Sequence, residues 1–266
     1  MDELEGHNIQ IRAGTAPRVL SEADDLRLAI HQKYSSRSLV EWILDTVRPR
    51  QGWSVLDIGC GNGEQLMPLV RVIGNRGSAV GLDMSDSAIG SFKKRVLELN
   101  LSNVQPIFGN MDAFEKYIPS GSSFDLIISN FAIYYARNPE KVMSKARSRL
   151  KKGGLVFLSG PARHNNHDLI NLHRSVGGVI PSHFDPDEME GKIMDAVRKS
   201  FSNVETYLFW NPVTFPSPEV LIDYWKSYFL YDPKYERKFA AAARKHFVEH
   251  DSFVTVKEVI GIAARE

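Results

Sequence analysis

With 266 residues, 43% of them hydrophobic, the chain is long enough to bury an ordinary core, as one α/β domain with insertions or as two small domains. Its 33 basic and 32 acidic residues leave a formal charge of +1, which favours no polyanionic partner such as DNA or tRNA. No apolar run reaches the roughly 18 residues of a membrane span, the start Met1-Asp2-Glu3-Leu4-Glu5 lacks signal-peptide character, and the single cysteine, Cys60, excludes an internal disulfide and a cysteine metal cluster; the expectation is a cytoplasmic protein.

Residues 1–19 carry little periodicity and read as an arm. Residues 21–34 and 36–47 have helical spacing, with Ser21 and Asp24 resembling an N-terminal cap. Short apolar runs follow at 55–58, 79–82, 104–108, 126–129 and 155–159, and such near-continuous hydrophobicity marks strands covered on both faces of a parallel sheet. Between them, Ile89, Phe92, Val96 and Leu99 recur on one helical face, as do Val142, Met143, Ala146 and Leu150. Asn138 as cap, Pro139 in the first turn and Lys151-Lys152-Gly153-Gly154 as terminator frame the second of these helices. Pro68 conflicts with a helix running straight out of the preceding glycine turn, so that helix starts late or bends. Residues 162–200 read as an insertion with its own helices, 203–215 as a strand, 218–228 and 233–250 as helices, and 253–263 as a last strand. Alternating β and α units predict a doubly wound sheet in a single domain with lid-like additions.

The chemistry concentrates in Asp57-Ile58-Gly59-Cys60-Gly61-Asn62-Gly63 and in Gly81-Leu82-Asp83-Met84-Ser85. Glycines at alternate positions let the main chain turn sharply and approach a ligand, and an acid twenty residues after Gly63 is placed to accept from ribose hydroxyls. Cys60, inside the turn, reads as a small buried filler. The order of glycine turn, acid, Asn110-Met111-Asp112, Asp125-Leu126-Ile127-Ile128-Ser129 and Leu150-Lys151-Lys152-Gly153-Gly154 resembles class I S-adenosylmethionine-dependent methyltransferases of the small-molecule type, over roughly residues 50–160 and the last strand. The resemblance implies an α/β, doubly wound, seven-stranded, mostly parallel Rossmann-like sheet whose last strand runs antiparallel. The amino-terminal helices and the two insertions fall outside the resemblance; the expected division is residues 1–50 as an arm and helices covering the cofactor site, and 51–266 as the methyltransferase domain with insertions at about 162–200 and 216–250.

The resemblance also implies S-adenosyl-L-methionine as cofactor, with roles assigned by position. Gly59 and Gly61 pass under the methionine part, and Asp57 bonds the turn or the amino group. Asp83 holds the ribose, Met84 packs on adenine, Met111 and Asp112 read the adenine edge, and the Ser129 and Asn130 carbonyls lie near the sulfonium. Asp125 has a competing reading as a turn cap.

Methyl transfer needs alignment and water exclusion first, and a base only for a hydroxyl or protonated amine acceptor. Tyr134 or Tyr135, in the turn after the fourth strand, is placed to line the acceptor cavity. His164, His167, His173 and His183 fall in the first insertion, and His164 and His183 are candidate bases. The pair His164 and His167 has no cysteine or carboxylate spacing to make a metal site. Tyr34 is a candidate to close over the cofactor carboxylate. Trp210, Phe215, Tyr224, Trp225, Tyr228, Phe229 and Tyr231 roof an apolar pocket or pack as a helix on the sheet edge. Ser129-Asn130-Phe131-Ala132 departs from the Asn-Pro-Pro-aromatic pattern of DNA amine methylases. The expected partner is a small-molecule acceptor. The competing readings are a nicotinamide-dependent oxidoreductase, a cofactor-binding enzyme of cyclisation or decarboxylation, and a non-catalytic binding partner.

Overall fold

In the computed structural model the described residues are 22–181 and 185–266. Seven strands form one sheet in the order β3-β2-β1-β4-β5-β7-β6. They are β1 Ser54–Ile58, β2 Ser78–Asp83, β3 Val104–Phe108, β4 Phe124–Asn130, β5 Leu150–Pro161, β6 Asn203–Phe215 and β7 Phe253–Arg265. The pairs among β1 to β5 are parallel, and β7 runs antiparallel between β5 and β6. The predicted seven-stranded sheet and its reversed last strand are both present.

The nine helices among the described residues are α1 Glu22–Tyr34, α2 Leu39–Val47, α3 Leu66–Ile73, α4 Asp86–Glu98, α5 Pro139–Ser148, α6 His167–Ser175, α7 Met194–Ser200, α8 Pro218–Lys226 and α9 Glu236–Glu249. The Ser21 cap lies outside the described residues, and α2 begins later than its periodicity predicts, at Ser38, whose Oγ accepts from Glu41 N. Helix α3 starts late, so Pro68 falls in its first turn, where its missing N–H has no intrahelical partner to lose. Asn138 caps α5 as expected. The Lys151-Lys152-Gly153-Gly154 segment does not end α5, which stops at Ser148, but forms a bulged entry into β5, with Gly153 at φ +75.

Alternation along each strand sends side chains to two cores. Leu56, Ile127, Val156 and Ile262 join α5 and α7 on one face, while Val55, Leu126, Phe157 and Ala263 join α2, α3 and α4 on the other. Two expected divisions are therefore redrawn. Helix α2 belongs to the sheet packing, with Trp42 edge-on to Phe157, so residue 50 is no packing boundary. Helix α7, inside the first insertion, fills the floor under the sheet rather than a lid, because Ala196 and Val197 are apolar and fully buried there.

A third core defines the lid. β6 and β7 pair along their full lengths, but β5 meets β7 only at residues 259–264, so residues 210–215 and 253–258 run on as a two-stranded ribbon past the carboxyl edge of β5. Val213, Phe215 and Phe253 on this ribbon pack with Ile30 of α1, Leu169 and Ile170 of α6, Tyr224 and Trp225 of α8 and Phe239 of α9. The predicted aromatic roof thus serves mostly as the lid's own core: Trp225 stacks on Phe239 with centroids 4.1 Å apart, whereas Trp210 is 55% exposed. The turn after β5 ties the lid down through Ala162 N to Glu258 O, Asn166 N to Val256 O and Glu258 N to Asn165 Oδ1. Asn166 thereby starts α6 by its main chain, without a side-chain cap.

Asp125 is structural. Its Oδ2 accepts from Ser54 N and Lys151 Nζ, each at 2.7 Å, joining the start of β1 to the β5 bulge. Asp125→Ala is expected to lower unfolding stability by about 1–2 kcal/mol, discounted for the partly exposed lysine. An unchanged urea midpoint would contradict that role.

Candidate active site

The glycine turn joins β1 to α3 at the carboxyl edge of the sheet, where open α/β sheets bind ligands. Gly59 N and Cys60 N both donate to Leu82 O, at 2.7 and 3.0 Å, pinning the turn to β2. The three glycines serve different ends. A Cβ on Gly59, at φ +82, would lie 2.2 Å from the Ala132 Cβ, and one on Gly63 would enter the Phe92 ring. A Cβ on Gly61 would meet nothing within 4 Å, so only that glycine presents its Cα to open space. Cys60 is buried, and a Cβ on Gly81 would lie 2.9 Å from its sulfur. Burial pushes the Cys60 thiol well above its ordinary range, which fits an inert filler.

Asp83, at the end of β2, accepts from Gly61 N through Oδ2 and from Ser85 N through Oδ1, both at 2.8 Å. It therefore shapes the turn as well as facing it, and each oxygen keeps a second lone pair for a ligand hydroxyl. Met84 beside it is 45% exposed, an apolar surface left uncovered at the rim. Asp57, one residue inside β1, is 1% exposed, and its Oδ1 has no hydrogen-bond partner. Burial first, then the Asp83 charge, push its carboxyl up from 3.8 to about 8.

At the end of β4, Ser129 Oγ donates to Ile58 O at 2.7 Å, which couples that end to the glycine turn. Asn130 Oδ1 accepts from Ser159 Oγ at 2.7 Å, while its shielded Nδ2 is unpartnered. Asp57 Oδ1 near the end of β1 and Asn130 Nδ2 at the end of the adjacent β4 are thus a buried acceptor and a buried donor without partners. Met111 fills space beneath Gly59, its Cε 3.5 Å from where a Cβ would stand. Asp112 Oδ1 is occupied by Arg137 N and Asn138 N at 3.0 and 3.2 Å, so an adenine amine would be met by Oδ2.

The profile of the family described as "Methyltransferase domain" matches residues 49–204, more than half of the chain. The chain belongs to this class I methyltransferase family. It is similar to nocamycin O-methyltransferase from Saccharothrix syringae, 29% identical over 47% of this chain and 44% of that one. It is also similar to aklanonic acid methyltransferase DauC from Streptomyces sp. strain C5, 29% identical over 45% of this chain and 53% of that one. The chain thus matches about half the length of these relatives. The crystal structure of YcgJ from Bacillus subtilis shares the fold at a TM-score of 0.57, with 15% identity, covering 85% of this chain and 98% of that one.

On the lid side of the methyltransferase domain, the predicted residues are scattered. Tyr134 packs half-buried on the floor core, and a Cβ on Gly160 would meet both its ring and Met189; Tyr135 is 53% exposed. His164 is exposed and meets His167 edge-on at 5.9 Å, and no third metal-ligand side chain joins them among the described residues, so a water-excluded base is not formed there. His173 is fully buried, accepts at Nδ1 from Trp225 Nε1 and bonds Val179 O through Nε2. Burial lowers its pKa, which marks a neutral core histidine. His183 lies outside the described residues. Tyr34 lines a groove of about 220 Å³ between α1 and α8, together with Leu26, Lys33 and Val220 among others.

Sequence reasoning passed over two polar side chains, Lys257 and His31. Lys257 of β7 sets its Nζ 5.3 Å from the Phe131 ring centroid, directly after β4, and His31 of α1 bonds the Tyr224 hydroxyl through Nε2 at 3.1 Å. Neither sits in a motif. The one hint is a charged residue interrupting the apolar alternation of the last strand.

Proposed function

We propose that this domain transfers a methyl group from S-adenosyl-L-methionine to a small-molecule acceptor. The observation that carries the reading is the open main chain at Gly61, flanked by Asp83 and by the unpartnered Asp57 Oδ1. These residues fit the cofactor. Gly61 admits its chain against bare backbone, Asp57 accepts from its amino group, Asp83 takes the ribose hydroxyls and Met84 covers the adenine, whose edge Met111 and Asp112 read. Ser129 and Asn130 close the methionine end. Bound there, the cofactor supplies a methyl carbon already activated by a positive sulfur. The protein's part is to orient the acceptor in line with that carbon and keep water out.

The enclosing lid supports a small acceptor. So do the formal charge of +1 and the names of the relatives, whose printed activities concern nocamycin and aklanonic acid. No helix among the described residues is long and apolar enough to cross a membrane. The reading includes a cytoplasmic setting and no nucleic-acid partner. Tyr134 remains a candidate to border the acceptor, being next to the β4 turn.

The test is transfer of labelled methyl from the cofactor into fractionated cell extract. Label in the low-molecular-weight organic fraction is expected, and label confined to RNA, DNA or protein would overturn the small-molecule reading. Asp112→Ala is expected to weaken S-adenosylhomocysteine binding roughly tenfold while costing about 0.5–1.5 kcal/mol of stability. Unchanged affinity in calorimetry would confine Asp112 to holding the entrance of α5.

A further inference from the structure

Strand β6 is an edge of the sheet, and β7 decides which of its main-chain groups face out. Ala162 N and Asn166 N donate to Glu258 O and Val256 O, so the even-numbered residues of β7 turn their main-chain groups away from β6. The odd ones face β6, where they stand opposite odd residues such as Glu205 and Tyr207. In an antiparallel pair the N–H and C=O of one residue point to one side, and successive residues alternate. The even residues of β6 therefore face outward. Trp210 agrees, since its O accepts from Arg37 Nη1 at 3.2 Å.

Residues 35–37 cover this edge at its lid end only. Ser35 bridges to Val213, and the Arg37 main chain exchanges two bonds with the Asn211 side chain. Beyond them Val204, Thr206 and Leu208 present three N–H and three C=O groups outward, and no hydrogen bond among the described residues reaches these six. Leu208 and Trp210, on one face of the strand, are 51% and 55% exposed. Open main-chain groups flanked by apolar side chains make an edge a template for another strand.

Self-complementarity identifies that strand. A two-fold antiparallel register centred on Thr206 sets Val204 against Leu208 of a second copy, Thr206 against its own equivalent and Leu208 against Val204. All six open groups are then used, and Trp210 O stays with Arg37; neighbouring registers leave some of the six unpaired or draw on Trp210. On one face two Val–Leu pairs flank a Thr–Thr pair. On the other, Glu205 stands opposite Tyr207 of the second copy, and within one chain the Tyr207 hydroxyl already donates to Glu205 Oε2 at 2.8 Å. Arg37, its guanidinium 5.0 Å from the Phe209 ring centroid, lies one position further along this face, so Glu205 of the second copy arrives beside a cation. Symmetry repeats that opposite-charge meeting, and no like charges stand opposite one another. We propose that the β6 edge is the interface of a two-fold dimer of this chain, in which the two sheets join into one.

Sedimentation equilibrium of the whole chain is expected to show monomer and dimer in exchange, with the dimer dominant at high concentration. Leu208→Lys places a charge against Val204 of the second copy, and Thr206→Pro removes an N–H that the monomer leaves unused; the strand already carries Pro212 at an outward position. Each should weaken association at least tenfold while the melting temperature at low concentration stays near that of the wild type. Should the proline variant melt early, Leu208→Lys, at a half-exposed site, decides alone. Thr206→Cys should cross-link on oxidation, because Cα atoms paired in this way lie about 5.5 Å apart, within disulfide reach. Leu97→Cys, 75% exposed on α4, should not, and the native Cys60 is buried. A monomer at every concentration, a dimer that Leu208→Lys does not weaken, or Thr206→Cys cross-linking no faster than Leu97→Cys would overturn the proposal.

Discussion

Asp57→Asn is expected to stabilise the free protein and to weaken its hold on the cofactor. The carboxyl is buried beside Asp83 and titrates at about 8 when folded, against an ordinary value of 3.8. Between those values the folded state keeps a proton that the unfolded chain has lost. The stability this proton contributes is full below about pH 4 and is lost as pH rises through about 8. The Asn variant has no such loss, so its melting temperature should exceed that of the wild type by a margin that widens from pH 5 to pH 9.

Binding has the opposite dependence. An ammonium group against Asp57 favours the ionised carboxylate, so wild-type affinity for S-adenosylhomocysteine should rise from pH 6 to pH 8 with release of a proton. In the variant that rise should vanish, and affinity at pH 8 should fall by roughly 1.5–3 kcal/mol, the range for a hydrogen bond to a charged group. Calorimetry in two buffers of different ionisation enthalpy counts the proton directly. A flat wild-type profile, or equal affinity in the variant, would remove Asp57 from the site.

The second large effect separates two glycines that look alike in sequence. In Gly59→Ala the new methyl would stand 2.2 Å from Ala132 Cβ, an atom fixed to the backbone, at a φ of +82. Left-handed strain of about 1 kcal/mol and overpacking of about 1–3 kcal/mol add to a loss of roughly 2–4 kcal/mol. At roughly 2–4 °C per kcal/mol for a chain of this size, the melting temperature should drop by about 4–16 °C. A Cβ on Gly61 meets nothing within 4 Å, so the strain of a β-branched residue at positive φ is the main cost of Gly61→Val to stability. Its main effect should be on binding, with S-adenosylhomocysteine affinity reduced more than tenfold. If the Gly61 variant binds normally, or the Gly59 variant melts like the wild type, the division of labour within the turn is wrong.

That contrast shows what the sequence could and could not convey. Glycine spacing marks where the main chain must bend, and the acids at strand ends mark where a ligand would be met, because both signals are local. Whether a glycine is needed for a ligand or for Ala132 depends on a residue more than seventy positions away, and no spacing encodes it. The strands at 104–108 and 203–215 were legible to the residue, since apolar runs and their turn punctuation are also local. The bulge at Lys151-Lys152-Gly153-Gly154 was misread as a helix end because the same residue types serve both purposes.

The lid was legible as a collection of aromatics but not as an architecture. Tyr224 and Trp225 were visible as large apolar side chains, yet only the tertiary arrangement around the overhanging ribbon of β6 and β7 determines that Tyr224 meets Phe215 and Trp225 meets Phe239. The histidines near the fifth strand attracted attention by clustering, and the structure leaves His164 in solvent and His173 in a dry core. His31 and Lys257, from opposite ends of the chain, reach Tyr224 and Phe131 only after the first helix and last strand have packed. Polar groups brought together by tertiary structure leave no periodic trace.

The most direct test of the central claim is a calorimetric titration of the whole chain with S-adenosyl-L-methionine, S-adenosylhomocysteine and NAD under identical conditions. Saturable one-site binding of the two sulfur compounds, abolished or strongly weakened in Gly61→Val, with no heat from NAD, is the predicted result. No binding of either sulfur compound, or tighter binding of NAD, would contradict it.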